Sequence, residues 1–459
     1  MIHKYELGGL YIVLDVNSGG VHIVDKLTYD LLDYAIPPFS AECPQEILDK
    51  LGGTYDIAEL KECYEEIASL YEEKILFSPD DYEKFAKFTT ASPIKSMCLH
   101  ISHDCNLRCQ YCFASTGDFG TGRKLMPLEI GKKAIDFLLE NSGNRKNLEL
   151  DFFGGEPLMN FGVVKEIVAY GREREKEYGK TFRFTITTNG TMLNDDSIDF
   201  INREMSNVVL SIDGRKEVND RMRPTAGGKG TYDIILPKFK KLVDGRSKDK
   251  DWYVRGTFTK YNLDFSEDVF SLYEAGFDQI SVEPVVCDPK YPYAITEEDL
   301  PQIFTEYEKL AQRLLAQDRA GKHFNFFHFM IDLNQGPCAV KRLRGCGCGN
   351  EYVAVTPDGD IYPCHQFVGM EEYKMGSLED GTFNREMQTD FAKAHIYNKP
   401  SCKDCWARFY CSGGCNANNY QYMGNILTAH QLSCELEKKR VECAIMIQAV
   451  KSLERNEAE

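Results

Sequence analysis

No stretch of the 459-residue chain approaches roughly 18 consecutive apolar residues, so no membrane-spanning helix is expected. The opening MIHKYELGGLYIV has neither the basic region nor the apolar run of a signal peptide, so the cytoplasm is the expected location. Positive charge is scarce: 54 Lys and Arg face 71 Asp and Glu, a formal net charge of -17. Nucleic acid is therefore not expected as a main partner, because phosphate binding needs basic surface. A local basic groove for an acidic peptide stays open. Internal repeats and low-complexity tracts are lacking too. The remainder is ordinary globular composition, 43% hydrophobic and 27% charged, with length for about three domains.

What the chain does have is cysteine. It has 17, three within positions 105–112 and ten between 338 and 443. A reducing cytosol disfavours a disulfide framework, and clustered thiols there point to metal or catalysis. The stretch GCGCGNEYVAVTPDGDIYPCH at 345–365 carries Cys346 and Cys348 at one end of a hairpin and Cys364 with His365 at the other. Taken alone it fits a zinc ribbon, a disulfide or an iron–sulfur cluster.

Five segments organise the sequence. Residues 1–78 read as a small winged-helix-like α+β unit. Its strands are KYEL, GLYIVLDV and GGVHIV, and its helices lie near 26–35, 44–51 and 56–73. Residues 79–95 read as a linker. From 96 to 289, six strands (MCLHIS, LELDFFGG, FRFTITTNG, NVVLSID, WYVRGTFT and QISVEPV) alternate with helices, which implies α/β architecture with a parallel sheet. Residues 290–337 are a helical bridge. Residues 338–459 are Cys-rich and end in a helix near 433–452. The polar signature residues Gly154-Gly155-Glu156-Pro157, Thr188-Asn189, Ser211 with Asp213, and Glu283 all sit at strand ends, where such sheets bind ligands.

CNLRCQYC directly follows the first of these strands and gives Cys105, Cys109 and Cys112. Three thiolates on one loop can hold an iron–sulfur centre, whereas a structural zinc site wants four closed ligands and a thioredoxin-like pair needs no third Cys. The C-x3-C-x-aromatic-C pattern, with Tyr111 in the aromatic place, resembles the radical S-adenosylmethionine (SAM) enzymes, and the resemblance runs through 96–289. It implies a partial (β/α)6 TIM-like barrel. It also implies a four-iron cluster on Cys105, Cys109 and Cys112 with one iron free for S-adenosylmethionine. Gly154, Gly155, Glu156 and Pro157 match the motif for the methionine amine. Thr188, Asn189, Ser211, Asp213 and Glu283 match the remaining cofactor-contacting strand ends.

CKDCWARFYCSGGC with a later Cys gives Cys402, Cys405, Cys411, Cys415 and Cys434. With Cys346 and Cys364 this resembles the SPASM extension of peptide-modifying radical enzymes, which binds two further [4Fe–4S] clusters. The resemblance implies a distal cluster on Cys402, Cys405, Cys411 and Cys434, and a nearer one on Cys346, Cys364 and Cys415. Cys348 stands where the family has Ala. It is either a fourth ligand or a spare thiol beside an open iron. His365 replaces the acid that sulfatase-maturing relatives carry after this Cys, and is either a catalytic base or a hydrogen-bond donor near the cluster. Cys43, Cys63, Cys98, Cys287 and Cys443 read as small apolar residues, with Cys338 an outside candidate for a ligand.

The whole arrangement resembles the maturases of SCIFF (six-cysteines-in-forty-five) peptides. That implies thioether crosslinks from Cys sulfur to a carbon of an acceptor residue, often Thr, in a Cys-rich ribosomal precursor peptide. It also implies an electron donor such as flavodoxin or ferredoxin. Residues 1–78 would capture the leader by strand addition, with the exposed edge expected in 10–24. A sulfatase- or quinohemoprotein-type maturase is the competing enzyme, and a non-catalytic cluster-bearing scaffold the competing non-enzyme.

Overall fold

The computed structural model describes residues 1–86, 90–333 and 339–458. Cys338, the boundary at 337/338 and residues 87–89 of the expected linker lie outside the described residues. The N-terminal strands β1 (Ile2–Leu7), β2 (Leu10–Asp15) and β3 (Val21–Val24) form an antiparallel sheet in the order β1-β2-β3. Period-2 alternation gives β2 two buried faces. Val13 packs with Leu31, Leu60 and Ile67 of the unit's own helices, while Ile12 and Leu14 join the main core of the molecule. The expected edge in 10–24 is therefore narrowed. β2 is the central strand, and among the described residues only β3 within that range has an unpaired side.

The unit is docked. His3 meets the Glu442 carboxylate through Nε2 at 3.0 Å and stacks on Trp406 at 3.7 Å. The Tyr5 hydroxyl donates to the Glu442 carbonyl at 3.1 Å. Buried Arg408 reaches across to both Asn17 and Asp80.

The six expected parallel strands are present as β4 (Ser96–Ser102), β5 (Asn147–Gly154), β6 (Thr181–Thr188), β7 (Asn207–Ser211), β8 (Asp251–Phe258) and β9 (Gln279–Pro284). Leu148, Leu150 and Phe152 of β5, and Phe182, Phe184 and Ile186 of β6, are buried under the outer helices. The alternate positions, Asp151 and Phe153, then Thr185 and Thr187, are less completely enclosed. Strands of parallel sheets are usually apolar on both faces. The polar alternation here marks an inner face that lines a cavity.

The sheet does not stop at six strands. A short β10 (Asn325–Phe326) pairs with β9. At the other edge β11 (Tyr352–Val355) lies parallel to β4, with Tyr352 opposite Ser96. β12 (Asp360–Tyr362), β13 (Gly376–Ser377) and β14 (Thr382–Phe383) continue antiparallel, making an 11-stranded sheet. The Cys-bearing hairpin at 345–365 is thus an extension of the barrel sheet. The closing helix, Gln431–Ala458, is longer than expected and packs along Leu300–Arg319.

Candidate functional site

The loop after β4 carries Cys105, Cys109 and Cys112 into a cavity of about 270 Å³ at the strand ends. Gly154, Gly155, Thr188, Asn189, Ser211, Glu283, Tyr111 and His365 line it as well. These residues, far apart in sequence, share one cavity at the strand ends. Glu156, Pro157 and Asp213 do not line the cavity; Glu156 and Asp213 hold residues that do.

Glu156 is fully buried. Its carboxylate accepts hydrogen bonds from the Thr188 hydroxyl at 2.8 Å, the Asn189 N–H at 2.8 Å and the Leu158 N–H at 3.0 Å. This ties the end of β5 to the end of β6. Asn189, positioned in this way, directs its side-chain N–H toward the Cys105 sulfur at 3.6 Å, and the Leu107 N–H approaches the same sulfur at 3.4 Å. Gly155 admits no side chain, because a Cβ there would lie 2.2 Å from the Asp104 carbonyl oxygen. That close contact keeps the β5 end against the Cys loop.

Asp213 is fully buried below the cavity and accepts the Tyr111 hydroxyl at 2.7 Å, with the Thr257 N–H at 3.1 Å. Arg223 donates to the same hydroxyl at 2.8 Å. Desolvation raises the Asp213 carboxyl to about 6, against the pull of Arg223. The aromatic residue of the Cys motif is thus pinned to the end of β7. Arg223 was not anticipated, nor was Arg255, which donates to Glu283 at 2.6 Å. Desolvation works to raise the Glu283 carboxyl, but Arg255 and His328 outweigh it and hold it down at about 2. Arg255 shares the inner face of β8 with Thr257, and both line the cavity. An Arg at an alternate position of an otherwise apolar strand was the available signal.

Burial pushes the Cys105 thiol up to about 12 and Cys109 to about 11. As free thiols they stay protonated at neutral pH, so a soft metal centre would have to displace the protons. Three thiols on one loop, beside donors (Asn189, Arg255) and an ionised acceptor (Glu283), fit an iron–sulfur centre together with a ligand bearing both amine and carboxylate. Among the described residues no three Cys, His, Asp or Glu side chains are set closely enough to hold a single metal ion.

Eight thiols of the C-terminal segment fall into two sets. Cys434 interacts electrostatically with Cys402 and Cys405, and Cys411 with Cys434 and Cys402. In the other set, Cys348 hydrogen-bonds to Cys364 and interacts with Cys346 and Cys415. That bond holds the Cys364 thiol below its usual range, and burial raises Cys348 well above it. Cys348 is only 5% exposed. Gly345, Gly347 and Gly349 all take left-handed backbone, with φ of 67°, 76° and 68°. Glycine tolerates this conformation without the penalty other residues incur. It curls the CGCG run and sets Cys348 against Cys364. A second cavity of about 400 Å³ meets Cys411, Cys415 and Cys434 and shares Glu283, Pro284, Val286, Gln366 and Asn418 with the first.

His365 lies between the first cavity and the second thiol set. Its Nδ1 is 3.2 Å from the Tyr352 hydroxyl, and its ring packs on Phe153 and Phe113 at 5.1 and 5.4 Å. Burial lowers its pKa to about 4, with Arg255 adding to the effect.

The family model for the radical SAM superfamily matches residues 99–263, and that for the SPASM iron–sulfur cluster-binding domain matches 346–406. A cysteine-type anaerobic sulfatase-maturating enzyme of Clostridium novyi (strain NT) is 27% identical over 333 residues, 69% of this chain and 86% of that protein. The antilisterial bacteriocin subtilosin biosynthesis protein AlbA of Bacillus subtilis (strain 168) is 23% identical over 450 residues, 91% of this chain and 92% of its own. Among solved structures, native anSMEcpe with bound AdoMet and Kp18Cys peptide superposes with a TM-score of 0.65 at 20% identity, covering 78% of this chain and 99% of that one.

Proposed function

Because the chain belongs to the radical SAM superfamily and carries a SPASM iron–sulfur cluster-binding domain, we propose that it is a peptide maturase forming thioether crosslinks in a Cys-rich ribosomal precursor. The observation that carries this reading is the docked N-terminal unit with its unpaired β3 edge. A sheet edge captures an extended leader by main-chain hydrogen bonds. The subtilosin biosynthesis protein spans 91% of the chain, against 69% for the sulfatase-maturating relative. A sulfatase-type activity is the second reading, favoured by the TM-score of 0.65 to anSMEcpe.

We assign Cys105, Cys109 and Cys112 to the radical cluster. Cys402, Cys405, Cys411 and Cys434 go to a distal auxiliary cluster, and Cys346, Cys348, Cys364 and Cys415 to a nearer one. When bound, S-adenosylmethionine and its cluster supply a 5′-deoxyadenosyl radical able to abstract a substrate hydrogen. The chain supplies position and shielding. Asn189 and the Leu107 N–H face the Cys105 sulfur, where hydrogen bonds favour the charged, ligating form. Tyr111, Asp213 and Arg223 fix the Cys loop against β7. Ser211, Arg255 and Glu283 present hydroxyl, cation and carboxylate to a ligand with charges of both signs. Phe113, 51% exposed, and Phe153 wall the cavity on the substrate side and keep water from a reactive carbon. His365, neutral and hydrogen-bonded to Tyr352, completes that wall.

Anaerobic incubation of the reconstituted chain with reductant, S-adenosylmethionine and a Cys-rich precursor should yield deoxyadenosine and a peptide lighter by two hydrogens per bridge. Deoxyadenosine without that mass loss, together with conversion of a sulfatase peptide, would establish the second reading instead. Ile23→Pro removes an N–H from the β3 edge. It should weaken precursor binding by roughly tenfold, measured by fluorescence anisotropy, without lowering iron content. Cys348→Ala should lower iron by about four per chain, as loss of one four-iron cluster requires. Full iron content in that variant would instead leave an open iron suited to a substrate thiolate.

A further inference from the structure

Between the two C-terminal thiol sets lies a cation that the assigned activity does not use. Lys399 is 1% exposed, and its ammonium donates to the Gly413 carbonyl and the Asn416 side-chain oxygen, both at 2.7 Å. Gly413 lies between Cys411 of one set and Cys415 of the other, and Asn416 follows Cys415. The Lys399 carbonyl accepts the Cys402 N–H at 2.9 Å. The ammonium interacts electrostatically with Cys402 and Cys411 of the distal set and with Cys415 and Cys346 of the nearer one. Desolvation lowers its pKa from the ordinary lysine value, and those four sulfurs only partly offset it.

Burying an ammonium is costly unless it is paired. Among the described residues no carboxylate forms a salt bridge with Lys399, and both hydrogen-bond acceptors are neutral. The compensation available at this point in the fold is negative charge on the sulfurs of both sets. A thiolate-bound cluster carries that charge and gains more of it on reduction.

We propose that Lys399 is a positioning residue shared by the two auxiliary cluster sites, whose fixed positive charge favours the reduced state of both clusters. The proposal rests on reading these eight thiols as two cluster sites. Reduction potentials of such clusters follow net charge and hydrogen bonding around the sulfurs. An added electron is stabilised by a nearby cation screened from water.

The test uses the full chain, reconstituted with iron and sulfide, carrying Cys105→Ala, Cys109→Ala and Cys112→Ala so that only auxiliary clusters contribute. Lys399→Gln keeps a hydrogen-bond donor and removes the charge; Lys399→Met removes both. Anaerobic redox titration followed by electron paramagnetic resonance should show the reduced-to-oxidised ratio at fixed potential falling at least tenfold in both variants. That corresponds to about 59 mV for a one-electron couple. Iron and sulfide should stay near eight each per chain. Unchanged potentials in Lys399→Gln would overturn the proposal, as would loss of clusters from both variants, which would make Lys399 a residue of assembly. Iron content near four or below in the background chain, before Lys399 is touched, would instead overturn the two-cluster reading.

Discussion

Replacing Cys105, Cys109 and Cys112 together by alanine is expected to abolish deoxyadenosine formation completely while leaving the chain folded. Iron should fall from about twelve to about eight per chain, one four-iron cluster fewer. The three residues lie on a loop that opens into the cavity, and none is fully buried. Their removal deletes ligands without opening the core. Circular dichroism should be unchanged and the auxiliary-cluster signals should persist. Retained deoxyadenosine formation would exclude this loop as the radical centre. Loss of all iron would make the loop a folding element of the entire molecule.

The second large effect concerns a carboxylate enclosed by protein donors. Glu156→Ala removes the common acceptor of three buried donors: the Thr188 hydroxyl and the N–H groups of Asn189 and Leu158. Each orphaned buried donor costs about 1–3 kcal/mol, so a loss of roughly 3–9 kcal/mol is expected for the three. The midpoint of urea unfolding should drop accordingly. Glu156→Gln keeps an acceptor oxygen and should lose less. Because Asn189 depends on this anchor for its approach to Cys105, the Ala variant should also bind S-adenosylmethionine more weakly, measured by equilibrium dialysis. Unfolding at the unmodified urea concentration would refute the anchoring role.

Much of this was readable from residue order. The alternation of Phe182, Phe184 and Ile186 with Thr185 and Thr187 marks both the strand and its polar inner face. GGEP, TN and SID stand at strand ends because a parallel barrel brings all such ends to one rim. Within that rim the sequence did not separate residues that face the cavity from those that hold them. Glu156 and Asp213 resemble ligand contacts, yet their side chains are consumed by protein donors. A lone Arg such as Arg223 reads the same on a surface as on a cavity wall, whereas Arg255 is marked only by its alternate place on an otherwise apolar strand. The docking of β1 on the closing helix had no local signal, since His3 and Glu442 are brought together only by the fold. The pairing of β4 with β11 was illegible for the same reason. The three glycines of GCGCG mark a local feature: a left-handed turn at each one curls the run and sets Cys348 against Cys364.

That β4–β11 pairing has a consequence for how the molecule is made. Ser96 finds its partner Tyr352 only after the intervening chain has been synthesised. Until then the first strand of the barrel presents a bare edge of unpaired N–H and C=O groups, a template for aggregation. Loop closure over so long a separation is slow compared with local pairing. The nascent barrel is therefore a client in need of protection, and the Cys-rich segment acts as the selvedge that finishes the sheet. A fragment ending at the last barrel strand would keep the Cys105–Cys112 loop and its cavity and still lack the strand that covers the β4 edge.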